Sequence, residues 1–279
     1  MTKKYWGKAG GLLISLLVLA LGFLVFTPFL FMFAQSMRMP AEAYKMPPDF
    51  FPTRWDLTNY ATLLNSDLPL VQMAVNSLTV TLCTIVVRLT VSIMAAYAIA
   101  KIRYRGSNAV MIGFLSSMML PIQATIIPIY IMLSRLGLVN SLPGLVIVGV
   151  FDSFAIFMLR QSMASVPDSV VESAKIDGAS QLRICWGIVA PMIKPTIATM
   201  IVLIFNGVWN DYFLPYILIS SWEKMTLPLG INALKGYMGS GNQSVILAAV
   251  SFAVLPILII FLFGQRYIVE GMTSAAVKG

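Results

Sequence analysis

The sequence predicts an all-α polytopic membrane protein with six transmembrane helices and both termini in the cytoplasm. Three observations carry that prediction. Of 279 residues, 58% are apolar and 11% charged, against about 25% charged in soluble domains. The apolar residues gather in six segments near or above the roughly 20 residues that a spanning helix needs. None of those segments alternates with period two, as a transmembrane β-strand would. A single transmembrane domain over residues 1–279 is expected.

The first span, 12–34, lies in a run from Ala9 to Met37 without a charge. Lys3, Lys4 and Lys8 precede it, as in a signal peptide. The apolar run exceeds the ~15-residue limit of a signal core, so an uncleaved helix is expected. Residues 73–100 form the second span and carry Arg88. The third, 110–133, contains Pro121 and Pro128, read as helix kinks. The fourth, 140–163, is interrupted by Asp152. The fifth, 196–219, has Trp209, Asn210 and Asp211 in its second half. The sixth, 245–263, contains Pro256, read as another kink.

Basic residues orient the bundle. With the N-terminus inside, the inner segments hold Lys3, Lys4, Lys8, Lys101, Arg103, Arg105, Arg160, Lys175, Arg183, Lys194, Arg266 and Lys278. The outer segments hold Arg38, Lys45, Arg54, Arg135, Lys224 and Lys235, half as many. Excess Lys and Arg in short loops marks the cytoplasmic side. The +8 charge is therefore an orientation signal, and nucleic acid is not an expected partner.

Two segments outside the membrane are long enough for structure of their own. The outer loop, 35–72, is rich in proline and aromatics, with Phe50, Phe51, Trp55 and Tyr60 as packing or interfacial anchors. The inner loop, 162–194, reads as helical. Ser169 and Glu172 fit a capping box, with Pro167 just upstream. Gly178 breaks the pattern, and Ser180 can cap a second short helix that presents Leu182, Trp186 and Val189 near one face.

Chemistry is scarce. Histidine is absent, which removes the commonest general base and metal ligand. Cys83 and Cys185 form no metal-binding pair and are placed too differently for a disulfide. No phosphate-cradling glycine loop exists, so no catalytic, cofactor-binding or metal-ligating residues are assigned. The intramembrane charges are Arg88, Asp152 and Asp211. Two scattered aspartates lend thin support to an ion-coupled carrier, the alternative reading.

The inner loop is more informative. Glu172-Ser173-Ala174-Lys175-Ile176-Asp177-Gly178, followed by Ile188-Val189-Ala190-Pro191, resembles the EAA loop of ABC-importer permeases. Glu172, Ala174, Gly178, Ile188 and Pro191 match in register, while Ser173 and Ala190 replace an alanine and a leucine. Asn76-Ser77-Leu78, Ala96-Tyr97-Ala98, Trp209-Asn210-Asp211 and the tail Gly271-Met272-Thr273 through Val277-Lys278-Gly279 are similar to the carbohydrate branch, the second permease of maltose-type importers. The resemblance implies the type I importer architecture and alternating access in a bacterial or archaeal cytoplasmic membrane. The substrate it implies is an oligosaccharide or related sugar. Partners would be a companion permease, a dimer of ATP-binding subunits and an extracytoplasmic sugar-binding protein, besides membrane lipid. ATP and Mg would sit on the partner subunits, and this chain would bind no cofactor.

Residue readings stand beside the resemblance. Gly178 supplies a positive φ that other residues resist. Small side chains at Ser173, Ala174 and Ala179 allow close approach to a partner, and Glu172 can meet a basic group there. Asn210 and Asp211 can bond sugar hydroxyls while Trp209 stacks on a ring; a polar cluster joining neighbouring helices explains the same residues equally well. Arg88 and Asp152 lie at depths about 8 Å apart by helical rise. An arginine side chain can close much of that gap, which makes Asp152 a candidate partner for Arg88, beside a group on the companion permease or the sugar itself.

Overall fold

The computed structural model describes residues 8–39, 42, 47, 49–65, 69–102, 104–237 and 243–276, all helical or irregular. The side chains of 8, 9, 235–237 and 267–276 are outside that description, as are Lys3, Lys4, Lys45, Arg103 and the last three residues of the tail motif. Two compact units are present, Met1–Leu68 with Ile231–Val254 and Pro69–Gly230 with Leu255–Gly279.

In the first unit, α1 (Lys8–Ser36) exposes Leu12 through Val25 on every side, as a lipid-facing span does. The outer loop then folds back on its end. Arg38 is buried, and its Nη2 donates to the Asp49 carbonyl at 2.6 Å. Helix α2 (Thr58–Leu64) brings buried Asn59, whose amide donates to the carbonyls of Ser36 and Arg38 at 2.9 and 2.7 Å. Phe31, Phe50, Phe51 and Trp55 form a chain of ring contacts with centroids 4.9–6.3 Å apart. Tyr60 meets Ser36 at 2.8 Å. The loop aromatics Phe50, Phe51 and Trp55 thus touch one another in turn, while Phe51 and Trp55 stay largely exposed.

The second unit is built around α3 (Leu70–Lys101), 32 residues and so about 48 Å long. That exceeds the ~30 Å hydrocarbon core, so the helix is long enough to span it with length to spare. Helices α7 (Ser153–Ala164) and α11 (Lys194–Trp209) pack along it. Ala96, Ala155 and Leu159 are buried there; small residues let backbones approach where lipid gives no hydrophobic drive. In the second turn of α3, Asn76 donates to the carbonyls of Glu223 and Met225 at 2.8 and 2.9 Å.

Three predicted spans are broken rather than continuous. The third becomes α4 (Ser107–Ser117) and α5 (Ile122–Arg135), bent by 100°. Pro121 stands at the break with extended backbone; it has no N–H to donate and disfavours helix at Leu120. The effect is a corner, larger than the kink expected, whereas Pro128 stays inside α5. The fourth becomes α6 (Leu142–Val148) and α7, bent by 50°. The fifth ends at Trp209, and α12 (Phe213–Leu218) follows the break. The third bent pair is Gln181–Met192 with Lys194–Trp209, at 85°. Among the described residues, three helices are long and apolar enough to cross a membrane alone, and up to six spans result if each bent pair counts as one. The last of these, α14 (Gln243–Ala276), is longer than predicted and contains Pro256.

Just before α6, Asn140 adopts φ +54°, a conformation asparagine tolerates better than most residues. Its side-chain oxygen accepts from Ser220 N, Ser221 N and Ser221 Oγ at 3.0, 3.1 and 2.9 Å. The turn before α6 is thereby fastened to the segment after α12.

Candidate functional site

The inner loop folds as α8 (Asp168–Ile176), a turn at Gly178, then α9 (Gln181–Ile184), a π-helical turn at Cys185–Val189 and α10 (Ala190–Met192). Asp168 in the first turn of α8 and Lys175 in the last both complement the helix dipole. The capping box does not form. Pro167 occupies the cap position with φ −60° and no side chain caps the helix, so Ser169 falls inside it. The Ser173 hydroxyl donates instead to the Ser169 carbonyl at 2.9 Å.

Gly178 has φ +78°. The Gly178 amide donates to the Lys175 carbonyl and the Ala179 amide to that of Ala174, both at 3.0 Å. These are the two bonds of a Schellman turn, which satisfies orphan carbonyls and needs a left-handed residue at this point. Ser180 then caps α9 by accepting from Arg183 N at 3.3 Å.

The exposed surface differs from the one predicted. Ala174 is buried, while Glu172, Ser173, Asp177 and Gly178 are exposed, and Ile176 is 87% exposed. Leu182 and Trp186 are exposed but Val189 is fully buried. A π-turn inserts a residue, which rotates Val189 off the face that a regular α-helix would give it. Ile188 is half-buried and Pro191 exposed. The exposed side chains of this segment thus include the apolar Ile176, Leu182 and Trp186 and the Glu172 and Asp177 carboxylates.

Cys185 is buried in this loop, and burial pushes its thiol up to about 11. Since the thiolate is the nucleophile, Cys185 is expected to resist a water-soluble maleimide at pH 7.5 in the folded protein and to react after denaturation. Rapid labelling without denaturant would contradict the buried placement.

A second polar site lies midway along α3. Arg88 Nη1 donates to Asp152 Oδ2 at 3.1 Å, and its Nε donates to the Gly149 carbonyl. Asp152 also caps α7, its Oδ1 accepting from Ala155 N at 3.0 Å. The arginine therefore reaches into the break between α6 and α7, meeting a backbone carbonyl and the capping carboxylate together. Unsatisfied backbone inside a membrane costs several kcal/mol per group, so an arginine serving a break offsets two costs at once. Glycine is needed at 149 because a Cβ there would stand 2.8 Å from Thr84 Cγ2 and 3.3 Å from Arg88 Nη2.

Arg88 also lines a cavity of about 40 Å³ with Ser77, Thr84, Gly149, Asp211 and Thr226, room for only a few waters. Asp211 sits in the break after α11, where its Oδ1 accepts from the amides of Phe213 and Leu214 at 3.0 and 3.4 Å. That local bond offers the backbone an alternative to continued helix, which ends the predicted fifth span early. Trp209 is buried with its ring stacked on Phe205 at 5.5 Å. Asn210 is exposed and bonds back to Asn206. The structure thus joins Arg88 to Asp152, a pairing that helical depth suggests, and sets Asp211 on the same cavity, which sequence spacing does not suggest.

Residues 88–274 match the protein family described as the binding-protein-dependent transport system inner membrane component. The chain is 32% identical over 231 residues to the arabinooligosaccharides transport system permease protein AraQ of Bacillus subtilis, covering 83% of this chain and 82% of that one. It is 30% identical over 268 residues to the diacetylchitobiose uptake system permease protein DasC of Streptomyces coelicolor, covering 95% and 96%. Its fold is similar to a chain in the crystal structure of a bacterial ABC transporter that imports alginate. The TM-score is 0.83 at 23% identity, over 95% of this chain and 99% of that one.

Proposed function

The chain belongs to the binding-protein-dependent transport system inner membrane component family, the permease subunits of ABC importers, and from that membership we propose the following mechanism. The substrate is a sugar, in keeping with the arabinooligosaccharide and diacetylchitobiose systems of its relatives. Both termini face the cytoplasm of a bacterial or archaeal cell. A companion permease completes the path, two ATP-binding subunits carry ATP and Mg, and an outer binding protein delivers the sugar. Asn210 and Asp211 belong to the path or to its wall.

One observation carries the proposal: the inner loop combines a rigid Schellman turn at Gly178 with exposed Ile176, Leu182 and Trp186. Large apolar side chains exposed outside the membrane mark a protein contact. The left-handed glycine fixes the angle between α8 and α9, so a partner seated on that face can turn both as a unit. ATP-driven closure of the motors would then move the loop and, through it, the spans.

Co-purification from the native membrane tests the reading. A companion permease and an ATP-binding protein should copurify, with ATP hydrolysis rising when the binding protein and its sugar are added. A chain that catalyses uptake alone in vesicles, driven by an ion gradient, would overturn it.

A further inference from the structure

The inner end of α3 holds the loop at two points. Lys101 is buried, its side chain 3% exposed, and Nζ donates to the Val166 carbonyl at 2.6 Å and to Asp168 Oδ1 at 2.7 Å. Those partners lie immediately before and at the start of α8. Four residues back on the same helix face, Tyr97 is buried and its hydroxyl bonds Gln181 Oε1 at 2.7 Å. Gln181 opens α9. The two contacts therefore fall on either side of the Gly178 turn.

Their chemistry makes the connection stiff. A buried ammonium is costly unless paired, so α8 cannot move away from α3 without leaving Lys101 unsatisfied. A second contact one helical turn away removes the freedom to pivot about the first. The helix so gripped is the one that carries Thr84 and Arg88 to the cavity, and Arg88 bridges the break at Gly149 and Asp152.

We propose that Lys101 and Tyr97 are positioning residues for coupling: they form a two-point clamp that delivers movement of the inner loop to α3, and through Arg88 to the α6–α7 break. The proposal rests on the loop being the ATPase-coupling element. A clamp used only for folding would leave the nucleotide response of the break unchanged in assembled variants that lack it.

The test is hydrogen exchange in the complete importer, with and without ATP plus vanadate. In the wild type, nucleotide should change exchange in both α8–α9 and residues 149–152. In Tyr97→Phe, in Lys101→Met and in the double variant, ATP hydrolysis should stay within about twofold and the α8–α9 response should persist. The response at 149–152 should fall on the order of tenfold, the scale of ordinary allosteric coupling. Tyr97→Phe removes one hydroxyl and keeps the ring, so it remains informative if Lys101→Met assembles poorly. Lys101→Arg, which restores a buried cation, should recover the response. An unchanged response at 149–152 in the assembled variants would overturn the clamp alone. No nucleotide response in α8–α9 of the wild type would overturn the coupling reading, and the clamp with it.

Discussion

Gly178→Val is expected to leave the protein inserted and assembled near its normal level while abolishing most transport. The position has φ +78°, and a Cβ there would meet nothing within 4 Å, so the penalty is backbone strain and not a clash. A non-glycine residue in the left-handed region costs roughly 1–3 kcal/mol, and a β-branched one sits at the unfavourable end. The least costly relief is to reopen the Schellman turn, which changes the angle between α8 and α9 and moves the docking face. Gly178→Asn, better suited to this φ, should retain most activity. Membrane abundance and ATP hydrolysis stimulated by the binding protein, measured on the same preparations, check this. Normal stimulation in the valine variant would refute the turn's role in coupling.

Arg88→Leu should lower the thermal stability of the complex. Removing one partner of a fully buried ion pair costs on the order of 3–5 kcal/mol, and this partly buried pair should lose less than that. Here the Gly149 carbonyl also loses its donor. Asp152→Leu should be comparably harmful, because it additionally removes the cap of α7, worth about 1 kcal/mol. The double substitution should recover part of the loss and leave the cap and carbonyl contributions. A double-mutant cycle on melting temperature reads the coupling, and strictly additive damage would mean separate partners.

The sequence makes some features plain and hides others for identifiable reasons. The glycine turn and the Ser180 cap follow from local composition, and the structure contains both. The first two apolar runs are single long helices, while others are broken. Depth makes Asp152 a candidate partner for Arg88, because an intramembrane arginine needs one, and the structure brings the two together. The breaks are less legible. Pro121 makes a corner where its place in an apolar run suggests a kink, and Asp211 ends its helix by bonding two amides downstream, as apolar continuity could not reveal. Val189 leaves the face its spacing suggests because a π-turn has no signature in a hydrophobic pattern. The roles of Lys101 and Tyr97 depend on partners 65 to 84 residues away, and only tertiary structure supplies those.

The central claim is that the face presented by α8 and α9 is where the ATP-binding subunit docks. A photo-crosslinking amino acid at Ile176, 87% exposed on that face, tests it most directly in native membranes, with Phe51 of the outer loop as the reference position. Capture of an ATP-binding protein from position 176 and not from 51, identified by mass spectrometry, is the predicted result. Capture of that protein from 51 and not from 176 would contradict both the docking face and the orientation of the chain.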